Sequence, residues 1–186
     1  MADPTDIVIA TFDEESKTFQ VFSEIKHLAT TRKIQLEGLA IVRRTEDGRM
    51  ETPEIINTNQ RSALTGGLVG SVVGILGGPL GVLLGWGTGA LLGSLKDFNE
   101  VRSDISVLQS LSEGMNPGSV ALIGEVATTS ANDIRRIVHR HGGELLRRPA
   151  AEIEEEIRQA HKAHNAASEE AKRTFGLGRD SSTSDS

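Results

Sequence analysis

The chain has 186 residues, a net charge of -6 from 20 Lys and Arg against 26 Asp and Glu, and neither cysteine nor tyrosine. That length suits one domain with appendages. Missing cysteines exclude a disulfide framework and thiolate metal sites, and the acidic balance argues against general nucleic-acid binding.

Met1-Ala2-Asp3-Pro4-Thr5-Asp6 has no basic or apolar run, so no secretory signal is expected. Asp6–Phe12 then reads as a first strand, with Ile7, Val8, Ile9, Ala10 and Phe12 as a short apolar run. Asp13 is the expected N-cap of a helix reaching about Thr31, with Glu14 and Glu15 in its first turn. Phe19, Phe22, Ile25 and Leu28 keep its helical period. Ile34–Arg44 reads as a second strand, Glu46-Asp47-Gly48-Arg49 as a hairpin turn, and Arg49–Ile56 as a more polar third strand.

Ser62–Leu95 is different in kind. Its 34 residues carry no charge, and it holds 11 of the chain's 20 glycines. Gly66, Gly70, Gly74 and Gly78 repeat every four residues. After Pro79, Gly81, Gly85, Gly89 and Gly93 do the same. A period of four lays each set along one stripe of a helix. The spacing predicts two helices, about Ser62–Gly77 and Pro79–Leu95, folded as a hairpin at Gly77-Gly78-Pro79. Each helical glycine costs roughly 1 kcal/mol relative to alanine, so the stripes need a compensating role. Close backbone approach, as between membrane helices, supplies one. The arms, of about 17 residues, sit at the lower limit for spanning a bilayer. A buried soluble hairpin or an inter-subunit zipper is the alternative, and a flexible glycine loop fits the many aliphatics least well. Trp86 sits mid-arm, away from an interfacial belt.

Asp97–Gly114 resumes an amphipathic helix through Val101, Ile105, Leu108 and Leu111, and Asn116-Pro117-Gly118 is a turn. Ser119–Val126 reads as a fourth strand. The next helix is capped by Ser130 or Asn132 and stopped by Gly142-Gly143. Glu144–Arg148 is a short edge strand. From Ala150 a polar helix runs to about Thr174, with Glu154/Arg158 and Glu169/Arg173 as supporting pairs. Gly176–Ser186 has the composition of a disordered tail.

These elements predict an α+β chain. A ferredoxin-like split βαβ sheet domain would occupy 6–61 and 96–148, with the glycine-zipper hairpin inserted at 62–95 and the polar helix at 149–175. The strand Asp6–Phe12, the glycine-rich Thr65–Gly93, Asn116-Pro117-Gly118-Ser119-Val120-Ala121-Leu122 and His141-Gly142-Gly143-Glu144-Leu145-Leu146-Arg147 together resemble a bacterial family, domain of unknown function 1269, described as predicted membrane proteins. The resemblance spans about Asp6–Arg148. It implies a membrane location and transfers no activity or functional residue.

Chemistry-bearing motifs are sparse. His139 and His141 are two apart and do not share a helix face. His161 and His164 share one without a carboxylate at zincin spacing. No Walker loop or nucleophile elbow is present, so no enzyme, metal or cofactor is expected. Arg135, Arg136, Arg140, Arg147 and Arg148 form the one basic concentration, either a solvated face or a contact for anionic lipid headgroups. The expected function is a non-enzymatic, membrane-associated protein that self-assembles through its zipper glycines, its domain and both termini cytoplasmic because Arg61, Lys96 and Arg102 flank the insert. The alternatives are a soluble ring or filament with the hairpins as its core, and a small-molecule sensor whose ligand the sequence does not identify. Partners are thus a second copy and a bilayer, with no nucleic acid.

Overall fold

Ile7-Val8-Ile9-Ala10, Leu39-Ala40-Ile41-Val42 and Val120-Ala121-Leu122-Ile123 are apolar at every position, not at alternate ones. Such strands need cover on both faces. The computed structural model, which describes residues 3–47, 49–57, 67–77 and 115–174, provides it. Five strands, β1 (Thr5–Thr11), β2 (Leu36–Arg44), β3 (Met50–Asn57), β4 (Val120–Ala127) and β5 (Glu144–Pro149), form one sheet in the order β3-β2-β4-β1-β5. Every neighbouring pair is antiparallel. The helices among the described residues are α1 (Glu15–Thr30), α2 (Gly67–Gly77), α3 (Ala131–Arg140) and α4 (Ala150–Thr174).

Strand order departs from chain order in one informative way. The strand between β1 and β2 is β4, while β3 lies outside β2 at the sheet edge. The strand that completes the first half of the sheet therefore follows the glycine-rich segment in sequence. The helix that crosses back from β4 is α3, which leads to β5 on the far side of β1. The helix expected over Asp97–Gly114, the second arm after Pro79 and the C-terminal tail lie outside the described residues.

Alternate side chains divide the core in two. Val8, Leu39, Ile41, Leu122 and Val126 face α1 and α3. Ile7, Ile9, Ala40, Val42, Ala121 and Ile123 face α2 and α4. Gly124 lets the central strands sit close, because a Cβ there would stand 3.0 Å from Leu39 Cδ1.

The helix ends correct two expectations. Glu14, not Asp13, is the N-cap of α1, and it makes no side-chain capping bond. Its carbonyl instead accepts from Lys17 N at 3.1 Å, and its carboxylate pairs with the Lys17 ammonium at 3.0 Å. Ser130 does precede α3, but its hydroxyl accepts the Gln35 N–H at 3.0 Å and does not cap the helix. The hydroxyl thus ties the start of α3 to the approach to β2. On α4, Arg158 pairs with Glu155 at 2.7 Å, where a pair with Glu154 was expected.

Candidate functional site: the glycine face of α2 and the exposed arginines

Helix α2 is the described part of the glycine-rich stretch, and its composition alone would not hold it. Gly67, Gly70, Gly74 and Gly77 together cost on the order of 4 kcal/mol relative to alanine. Burial offsets this. Val69, Val72, Ile75 and Leu76 are buried against the sheet beside Ala40, Val42 and Ile123. Each such side chain contributes about 1.5–3 kcal/mol. Leu68 and Val73 pack at the margin of the same cluster.

At 3.6 residues per turn, Gly70 and Gly74 fall on the side opposite those aliphatics. Gly70 is half-buried and Gly74 is exposed. Among the described residues, no atom beyond the helix's own backbone and the adjoining residues lies within 4 Å of where a Cβ would stand at either position. Neither glycine is therefore needed for packing onto the sheet. Beside them Ser71 turns its hydroxyl back to the Gly67 carbonyl at 2.9 Å, which satisfies it locally. The face is smooth, uncharged and without protruding side chains. Gly66, Gly78, Gly81, Gly85, Gly89 and Gly93, the other glycines of the predicted zipper, lie outside the described residues.

The five arginines do not form one patch. Arg135, Arg136 and Arg140 are exposed on α3, on the sheet face away from α2. Arg136 pairs with Asp133 on its own helix. Arg140 reaches across to Glu24 of α1 at 3.0 Å, and the other oxygen of Glu24 meets His141 Nε2 at 3.0 Å. Arg147 is held by Asp6 at 2.6 Å, and Arg148 donates to the Arg147 carbonyl at 3.0 Å. Arg135 is left pointing to solvent with Arg136 and Arg140, whereas Arg147 is mainly a strut inside the sheet. Sequence reasoning missed the Asp6–Arg147 and Glu24–His141 pairs. Their partners stand 141 and 117 residues apart, and no local pattern encodes them.

One carboxylate on the α2/α4 side is raised above its ordinary value. Burial pushes the Glu125 carboxyl up, a hydrogen bond from Thr5 at 3.1 Å opposes this, and the charges of Glu37 and Glu154 add to the rise. Among the described residues no group of three or more His, Cys, Asp or Glu is placed to hold a metal ion. His139 and His161 are exposed and do not converge.

The family model described as Protein of unknown function (DUF1269) matches residues 63–162, just over half of the chain. The chain belongs to this family. No curated protein and no solved structure matches it. The matched region begins just before α2 and runs through β4, α3 and β5 into α4. The family signature thus centres on the glycine-rich segment and the second half of the sheet, with β1, α1, β2 and β3 outside it. Among the described residues no helix is long and apolar enough to cross a membrane.

Proposed function

We propose that this member of the family is a non-enzymatic protein that self-associates through the glycine face of α2. The observation that carries this reading is the division of α2 into two faces. Its aliphatic side docks on the sheet, while Gly70 and Gly74 face away from it with open space where a Cβ would stand. Glycines that serve neither a turn nor the internal core, yet cost helix stability, fit a surface where another backbone approaches closely. The domain that carries α2 reads as ferredoxin-like. In support, β1-α1-β2 brackets β4, and β4-α3-β5 brackets β1.

Association with the cytoplasmic face of a membrane is the second reading. It is favoured by the 34 uncharged residues of Ser62–Leu95 and by the exposed Arg135, Arg136 and Arg140. The arginines and α2 lie on opposite faces of the sheet. A bilayer touching both would therefore meet the domain edge-on.

Sizing the full chain in buffer, in detergent and with anionic vesicles tests both readings. Gly70→Leu and Gly74→Leu should fold like the parent and run as smaller species. Gly70→Ala and Gly74→Ala should each raise domain stability by about 0.5–1 kcal/mol. Leucine variants that assemble like the parent overturn the glycine-face reading. Assembly that is the same in buffer and detergent, with no vesicle binding, removes the membrane.

A further inference from the structure

Among the described residues, the two helices of the α1/α3 face pack mainly on four strands, and the edge strand β3 is the least covered there. α1 lies over β2 and β4, and α3 over β1 and β5. Between α1 and the edge strand β3 this leaves an open trough of about 370 Å³. That volume is at the lower end of the roughly 300–1,000 Å³ of small-molecule sites. Its wall is one helical stripe of α1 at spacings of three and four, from Phe19 and Phe22 through Ser23 to Lys26, His27 and Thr30. Phe22 is buried and Phe19 half-buried, so one end of the trough is apolar. The other end carries the exposed Lys26 and His27, whose N–H groups can donate to an anion. Glu54 of β3 lines the trough from across.

The charges in the trough differ from the others on α1. Glu14 pairs with Lys17, Glu15 with Arg43, and Glu24 with Arg140 and His141. The side chains of Lys26, His27 and Glu54 make no ion pair or hydrogen bond among the described residues. One ammonium, one imidazole and one carboxylate thus line a cleft with an aromatic end, and no ion pair joins the ammonium to the carboxylate.

We propose that this trough binds a small apolar zwitterion, an α-amino acid with an aliphatic or aromatic side chain. Its carboxylate lies against Lys26 and His27, its ammonium against Glu54, and its side chain on Phe19 and Phe22. Lys26 and His27 alone would accept many anions. Glu54 selects against those without a cationic group, because like charge repels and leaves the carboxylate unpaired. The site lies on the sheet face opposite α2, so it is separate from the proposed self-association surface.

The test is calorimetric titration and thermal melting of the full chain with phenylalanine and leucine, beside 3-phenylpropionate and 2-phenylethylamine. The amino acids should bind saturably and raise the melting temperature. Each singly charged analogue should bind about tenfold more weakly or worse, the loss expected for one charge-assisted contact. Glu54→Gln should abolish the preference for phenylalanine over phenylpropionate, and Lys26→Gln the preference over phenylethylamine. Both positions are at the surface, and a far-ultraviolet spectrum confirms that the variants fold. The absence of a saturable heat with either amino acid at millimolar concentration overturns the proposal. So does equal binding of all four compounds, or binding by Glu54→Gln and Lys26→Gln that matches the parent.

Discussion

Arg147 on β5 donates two hydrogen bonds to a single carboxylate oxygen of Asp6 on β1, from Nε at 3.0 Å and from Nη2 at 2.6 Å. The two partners differ in burial. The Asp6 side chain is 7% exposed and that of Arg147 27%. Removing the arginine strands a carboxylate away from water, whereas removing the aspartate leaves a guanidinium that can swing out. Arg147→Ala should therefore cost about 3 kcal/mol, in the range for breaking a buried pair. Asp6→Ala should cost only about 1–2 kcal/mol. In urea denaturation the double variant should fall short of the sum of the two, because both remove the same contact. Equal single costs that add would show that the pair is not coupled.

This pair also marks the limit of what the sequence reveals. Ile7–Ala10, Leu39–Val42 and Val120–Ile123 announce buried strands because each is a run of apolar residues, and α3 is legible from Ile134, Ile137, Val138 and the two glycines after it. Strand order is not legible in the same way. Whether β3 or β4 fills the gap between β1 and β2 depends on which strand can bury both faces. β4 can, whereas β3 carries Glu51, Pro53 and Glu54 and goes to the edge. The glycine period is visible, but it does not tell which face of α2 meets the sheet. That is decided by the aliphatics between the glycines, and the trough beside α1 follows from α1 lying over β2 and β4 and not over β3.

Arg32 ends α1 in the left-handed region, at φ 57. Its N–H bonds to the Ala29 carbonyl at 3.0 Å and that of Lys33 to the Leu28 carbonyl at 2.9 Å, the paired bonds of a Schellman turn. α3 ends in the same way, with Gly142 bonded to His139 and Gly143 to Val138, but there the left-handed residue is glycine, at φ 73. A left-handed conformation costs a non-glycine residue about 1–2 kcal/mol, part of which glycine gives back in chain entropy. Arg32→Gly should therefore stabilise the protein by about 0.5–1 kcal/mol, or a rise of roughly 2–4 °C in Tm. Gly142→Ala should lower it by a similar amount. A fall in Tm for Arg32→Gly would show that the arginine side chain contributes more than its backbone strain.

Gly143 is constrained by space, not by φ. A Cβ there would stand 2.3 Å from Phe12 Cε1 and 2.9 Å from the Thr11 carbonyl oxygen. The ring can shift, but the carbonyl belongs to β1 and cannot shift without disturbing the pairing of Thr11 with Glu144. Gly143→Ala should cost about 1–3 kcal/mol, the usual penalty of overpacking. Adding Phe12→Leu should recover part of that loss. If the single variant melts like the parent, the approach of β1 to the end of α3 is looser than the distances imply.

Glu125 sets a pH dependence whose sign follows from its surroundings. Burial between β1 and β2 raises its carboxyl above the ordinary glutamate value of 4.5. The hydrogen bond from Thr5 only partly opposes this, and the charges of Glu37 and Glu154 reinforce it. A carboxyl whose pKa is raised on folding binds its proton more tightly in the folded state than in the unfolded one. Its contribution is most favourable below the ordinary value, declines as pH rises through the folded value, and stays unfavourable above it. Glu125→Gln keeps an oxygen to accept the Thr5 hydroxyl and removes the charge. The variant should melt above the parent at pH 8, and the gap should close as pH falls below about 4.5. Glu37→Gln, which removes one of the neighbouring charges, should narrow the Glu125→Gln gap at pH 8 when the two are combined. Melting curves of the parent and these variants between pH 4 and pH 8 give the answer. A gap that does not change with pH would trace the effect to packing, and a parent that melts above Glu125→Gln at pH 8 would mean that the ionised carboxylate is stabilising where it sits.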